Sequence, residues 1–318
     1  MTSDLLPAWT PEAKRRHGRE IVIFQHRLAE TGLFEDEALI RLLEAHPRDA
    51  LDVCTMKRNP PPNERWIGGE ANGLSGAELL EAVRRGRLWL NLRRATTYNP
   101  EYRTMFERLI RDFSKETGER ILTAMGGILI SAPRCGIFYH CDSTETMLWH
   151  VRGVKTIHLY PAEDPYLSER AYEAALLKET LNDLPYSPEM EAGVTSVVLE
   201  PGMAVHWPLH GPHRVVNHDS LNVSISIEYT TPHSMLTNGV FYTNGILRRR
   251  FGLNPTSRTV PGVLKPAYWL ASKALRRLAP TTNAPKNHAR AFDVRLDAPD
   301  CIAWRPGFEP AEPMDRAA

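Results

Sequence analysis

Apolar residues recur in two different rhythms along this chain, and the change falls near residue 120. In the first third, Leu39, Ile40, Leu42 and Leu43 fall at helical spacing and predict a helix over Asp36–Ala45, ended by Pro47. Ser75 and Glu78 have the spacing of a capping box and open a second helix through Ala82 and Val83 that stops near Gly86. Asn99-Pro100 starts a third, with Met105, Leu109, Ile110 and Phe113 on one face and Gly118 at its end. Ile21–Phe24 and Leu88–Leu92 read as short strands, and Asn59-Pro60-Pro61-Pro62-Asn63 as a loop that cannot join a sheet.

From Ile121 the period shortens. Apolar runs at 121–131, 137–142, 146–151, 155–160, 195–199, 203–207, 213–217 and 221–229 are separated by Gly, Pro and polar turns. About eight strands in so short a region predict an all-β sandwich or barrel. Residues 161–194 interrupt it with a helix expected over Leu167–Leu181, an insertion that either shapes a binding mouth or decorates the surface. Beyond Pro232 the pattern is less regular. One amphipathic stretch, Val263–Leu278, sets Leu264, Trp269, Leu270 and Leu275 beside Lys265, Lys273, Arg276 and Arg277. It is expected to pack on the domain or on a second subunit, and residues from Pro280 on to cover the surface loosely. The chain divides into an α/β flank (1–118), a β core (119–232) with its helical insertion (161–194), and a helical or irregular extension (233–318) that could support a homodimer.

Composition changes this picture little. The chain has 318 residues, 42% hydrophobic and 24% charged, with a net charge of +1, so nothing in it draws the protein to nucleic acid or acidic lipid. No run approaches membrane-helix length, and Met1–Glu20 lacks the apolar core of a signal peptide, so the expected location is the cytoplasm. Cys54, Cys135, Cys141 and Cys301 form no C-x-x-C pair and are expected to be reduced and buried.

The chemistry concentrates in the β region. His140 and Asp142 stand two apart, so on a strand both side chains face the same way while Cys141 points out of the barrel. One carboxylate and two imidazoles make the facial iron(II) set, which leaves metal positions open and suits an oxygen-using enzyme. His206, His210, His213 and His218 compete to be the third ligand. If Val215 faces inward with His213, His218 faces out. His206 ends a strand and His210 lies in a turn. His213, the first residue of the strand after that turn, is the preferred choice, with His210 next. Trp149, His150 and Arg152 are placed near the mouth, where they could contact substrate. Asn222, Ser224 and Ser226 share one face of the last strand and are taken to look into the pocket.

The stretch Phe138-Tyr139-His140-Cys141-Asp142, Gly153-Val154-Lys155, Leu159-Tyr160-Pro161, Pro201-Gly202, His213 and Val223–Tyr229 resembles the JmjC family, cupin-fold oxygenases dependent on iron(II) and 2-oxoglutarate, and within it the small asparaginyl-hydroxylase-like branch. Lys155 stands thirteen residues after Asp142, and His213 eleven after Gly202, as in that branch. The resemblance covers about Leu122–Tyr229. It implies a mainly β fold with flanking helices around a double-stranded β-helix (jelly-roll) core. It also implies iron(II) on His140, Asp142 and His213, and 2-oxoglutarate paired with Lys155. Ile137 replaces a threonine of the relatives, and Thr146 and Ser226 stand where asparagines lie near cosubstrate and metal. Ser224 joins them in the implied cosubstrate-binding set.

The expected activity is hydroxylation of a protein or peptide side chain or a small metabolite by O2, coupled to decarboxylation of 2-oxoglutarate to succinate, rather than demethylation. Two alternatives are a metal-binding cupin without oxygenase activity, against which Lys155 argues, and a non-catalytic binding protein of JmjC-like form.

Overall fold

The computed structural model describes residues 4–180, 184–278 and 290–309. In chain order the helices are α1 (Pro11–Arg16), α2 (Asp36–Ala45), α3 (Gly76–Arg85), α4 (Ala95–Tyr98), α5 (Pro100–Thr117), α6 (Glu169–Leu176), α7 (Pro232–Phe251) and α8 (Lys265–Leu278). The strands are β1 (Val22–Gln25), β2 (Leu51–Thr55), β3 (Ile67–Glu70), β4 (Leu88–Leu92), β5 (Thr123–Ser131), β6 (Gly136–His140), β7 (Glu145–Arg152), β8 (Lys155–Leu159), β9 (Thr195–Leu199), β10 (Met203–His206), β11 (His213–Asn217), β12 (Asn222–Thr230), β13 (Phe292–Val294) and β14 (Ile302–Trp304).

The eight strands expected between 121 and 229 all form. They sort into two facing sheets, β10-β7-β12-β5 within a larger sheet and β6-β11-β8-β9 as a smaller one. The chain passes from one sheet to the other as it advances, and every pairing among these strands is antiparallel. This is the double-stranded β-helix of the cupin type. Its interior is sealed by Leu148, Ile157, Leu159, Leu199, Val205 and Trp207 from both sheets. The larger sheet runs on through β1 at one edge and β4-β2-β3-β13-β14 at the other, to ten strands.

Helices cover its outer face. α5 buries Tyr102, Met105, Phe106, Leu109 and Phe113 there, capped by Asn99 with Pro100 in its first turn and closed by Gly118 at φ 74°. Ser75 and Glu78 form the reciprocal capping box of α3. All four cysteines are free and buried.

Three expectations need correction. The insertion helix ends at Leu176 rather than reaching Leu181, which lies outside the described residues, and no described residue of the insertion lines the central cavity. α6 instead packs on α7, where buried Glu173 receives Arg248 and Arg249. The stretch after Pro232 is not irregular: α7 is a helix of 20 residues. Several of its polar positions face tertiary partners rather than solvent, half-buried Asn238 bonding Tyr172 and His210 and buried Asn244 donating to Ser257, so they mask a helical stripe in the sequence. Residues 291–304 add β13 and β14 to the sheet rather than trailing over the surface. Phe292 lies over Gly69 of β3, where a Cβ would stand 2.3 Å from its ring. Among the described residues no helix is long and apolar enough to cross a membrane.

Candidate metal centre and pocket

β6 and β11 run side by side, and their register sets His140 opposite His213. Asp142 follows two residues after His140, beyond the end of the strand. The three side chains bring one ligand atom each to within 4.8 Å of one another. The imidazole centroids lie 4.2 Å apart, and His213 Nε2 is 3.6 Å from Asp142 Oδ2.

Backbone carbonyls orient both rings. His140 Nδ1 lies 2.8 Å from the carbonyl of Phe138, and His213 Nδ1 lies 3.1 Å from that of Gly211. A carbonyl only accepts, so each Nδ1 carries the proton and each Nε2 presents its lone pair. Burial pushes His213 down to about 4, so it is neutral at ordinary pH. Two imidazoles oriented by backbone carbonyls beside one carboxylate fit a divalent iron ion, with the supporting bonds that ligating histidines use.

The competing histidines are engaged elsewhere. His210, at φ 67°, turns its Nε2 to Asn238 and stacks near Tyr172. His206 contacts Tyr229 on the far face of the large sheet, and His218 reaches Thr156 on the exterior.

The triad opens on a cavity of about 450 Å³. Thr146 and Ser226 line it beside the triad, with Ile137, Leu148, Ile157 and Val215 as apolar wall. A smaller space of about 30 Å³ shares Ile137, Leu148 and Val215 with the cavity and ends at Lys155. Lys155 is 3% exposed, and burial lowers its pKa to about 7. No carboxylate pairs with it among the described residues.

Ser224 points inward, as its parity requires, but does not line the cavity. It is fully buried against His150 Nδ1 at 2.9 Å. Trp149, His150 and Arg152 are not at the mouth. Trp149 packs on Phe24 and His26 behind the sheet, His150 spans Ser224 and the carbonyl of Gly153, and Arg152 pairs with Asp36.

Sequence reasoning missed several lining residues. Glu228 continues the inward face of β12 after Ser226, so alternation could have found it. Burial and the charge of Asp142 push its carboxyl up to about 7. Trp89, Asn91, Arg93 and Arg94 enter from the flank because β4 pairs with β5, and Trp66, just before β3, joins them by stacking on Trp89. Trp66 stacks on Trp89 at 4.9 Å and meets Phe138 at 4.6 Å, forming an aromatic wall beside His140.

No protein-family model and no curated protein matches this chain. Solved structures do match. The X-ray structure of E. coli ycfD is 15% identical, with 86% of this chain and 69% of that chain aligned at a TM-score of 0.49. YcfD, a ribosomal oxygenase from Escherichia coli, in complex with cobalt and 2-oxoglutarate, is 15% identical over 86% of this chain and 68% of that one, with a TM-score of 0.48. The same protein with cobalt and succinic acid is 14% identical over the same shares, with a TM-score of 0.46.

Proposed function

We propose that this protein is an iron(II)- and 2-oxoglutarate-dependent oxygenase that hydroxylates a C–H bond of a protein or peptide side chain or of a small metabolite. The observation that carries this reading is a pocket polar at two ends and apolar between. At one end His140, Asp142 and His213 gather with both Nε2 atoms free. At the other, Lys155 stands buried with no carboxylate partner among the described residues. On β8 and β11, Lys155 lies four residues from the level of His213, about 13 Å of strand, which its own side chain and a five-carbon dicarboxylate would divide.

Iron held by the triad would supply oxygen activation coupled to decarboxylation of 2-oxoglutarate to succinate. The chain's own residues do the rest. Lys155 gives the far carboxylate a charge-assisted partner and regains the stability that burial of an ammonium costs. Thr146 and Ser226 offer hydroxyls beside the triad. Trp66, Trp89, Phe138 and Trp207 shield the reacting centre from water and leave the substrate to enter past Arg93 and Arg94.

A metal-binding cupin without a dicarboxylate would have no use for Lys155 at that depth. The deciding experiment is an anaerobic titration of iron(II)-loaded protein with 2-oxoglutarate, following the weak visible charge-transfer band of the chelate. The band is expected in the wild type and is expected to vanish, with most iron affinity, in Asp142→Ala. Iron bound without a band would favour the metal-binding cupin, and no iron bound would favour a non-catalytic binding protein.

A further inference from the structure

The register that sets His140 against His213 leaves Asp142 outside the ladder and His213 at its edge, where the pairing slips before Val215. Asp142 lies in the short segment between β6 and β7, and His213 follows the turn His210-Gly211-Pro212. One side chain reaches both segments. Asn238, in the second turn of α7, donates from Nδ2 to the carbonyl of Ser143, the residue after Asp142. Its Oδ1 lies 2.8 Å from His210 Nε2 and 2.5 Å from the Tyr172 hydroxyl.

The orientation of that amide is forced. A backbone carbonyl only accepts, so the NH2 group faces Ser143 and the amide oxygen faces the other two. The amide oxygen only accepts as well, so Tyr172 and His210 both donate, and His210 carries its proton on Nε2. Each bond acts on a metal ligand through a short stretch of chain. Gly211, next to His210, supplies the carbonyl 3.1 Å from His213 Nδ1 that orients that ring. Holding His210 therefore holds the acceptor that aims His213. Holding the Ser143 carbonyl fixes the backbone one residue past Asp142. Tyr172 lies over His210, with ring centroids 3.9 Å apart, and brings the insertion helix α6 into the same set of bonds. His140, inside the ladder, needs none of this support.

We propose that Asn238 is a positioning residue of the metal centre, tying the Asp142 segment to the His213 turn so that α6 and α7 hold two of the three ligands from outside the barrel. This rests on the metal-dependent reading of the site. It gives the insertion a task, although none of its described residues lines the cavity. The coupling runs both ways: an ion that fixes Asp142 and His213 tightens the contacts of α7 by the same factor that those contacts tighten the ion.

The probe is cobalt(II), titrated into metal-free protein and followed by its visible d–d bands, which report the number and arrangement of ligands. Removing an outer partner of a metal ligand costs about 10–100-fold in affinity, and Asn238→Ala is expected at the tenfold end, with altered bands. Asn238 is half-buried, so water reaches the groups that alanine leaves unpaired and the variant keeps its fold. Tyr172→Phe, which removes one donor and keeps the ring, is expected to lose less. Gly239→Ala disturbs the next residue of the same helix but none of these bonds, and is expected to keep wild-type affinity and bands. With cobalt bound, amide exchange in the first turns of α7 is expected to slow in the wild type and not in Asn238→Ala. Wild-type affinity and bands in Asn238→Ala overturn the proposal. So does an equal loss in Gly239→Ala, which would mean that the metal follows the general stability of the extension. Wild-type protein that takes up no cobalt would remove the metal centre itself. Wild-type protein that binds cobalt but is indifferent to Asn238 removes only the tie.

Discussion

Lys155 is an ammonium carrier in a place where charge is costly. Burial brings its pKa from 10.5 down to about 7, so in the free protein it is largely neutral at pH 8. A carboxylate seated beside it favours the charged form and raises that value. The sign follows directly: at pH 6 the lysine is charged before and after binding, and no proton moves. At pH 8 it is mostly neutral before and charged after, so binding takes up a proton. Calorimetric titration with 2-oxoglutarate in buffers of different ionisation enthalpy should show uptake near zero at pH 6 and approaching one proton per site above pH 8. Lys155→Met should abolish both the uptake and tight 2-oxoglutarate binding while iron affinity stays. Uptake that persists in that variant would place the titrating group elsewhere.

At the scale of elements, the helical extension rests on one close crossing. α7 meets α8 at Gly239, where an added Cβ would stand 2.7 Å from the Trp269 Cα. Backbone on the facing helix cannot yield as a flexible side chain would, and overpacking of this kind costs about 1–3 kcal/mol. Gly239→Ala should lower the denaturant midpoint accordingly. Gly262→Ala, at an exposed position with open space around it, should stay within about 0.5 kcal/mol of wild type. Around that crossing α8 binds α7 partly through its basic residues. The Arg276 guanidinium lies 4.1 Å from the Tyr242 ring centroid. Trp269 and Leu275 of the apolar set expected from the sequence pack on α7, and the rest of that set does not. Leu270 is 61% exposed and Leu278 81%, although leucines at helical spacing suggest the packed side.

On the scale of the whole molecule, those exposed leucines with Val263 and Leu264 leave apolar surface on the extension, away from the residues that line the pocket. A second copy covering this surface is the expected state, and light scattering at micromolar concentration should report twice the monomer mass of 36.0 kDa. Leu270→Lys should then return the monomer without loss of 2-oxoglutarate binding. A wild type that scatters as a monomer at all concentrations would end the idea. The extension also stiffens the site from outside, since Asn238 of α7 holds His210 and Ser143 next to the ligand-bearing segment.

The sequence by itself determined the eight barrel strands, the helices α2, α3 and α5, and the pairing of His140 with Asp142. Each of these depends on local rules: alternation, capping, and the two-residue repeat of a strand. Parity likewise set His213 inward and His218 outward. Only the tertiary structure decided what lies at long range. It put His140 opposite His213, brought Trp89 to the pocket on β4 with Trp66 stacked against it, and closed the inner end with Ser131 and Asn217 beside Lys155. It also made a helix of the polar stretch after Pro232 and a strand of Phe292–Val294. The reason is the same in each case. A buried serine, asparagine or lysine is tolerable only when a partner distant in sequence satisfies it, and a three-residue strand exists only because another strand offers it an edge. Such partners leave no periodic mark near the residue they support.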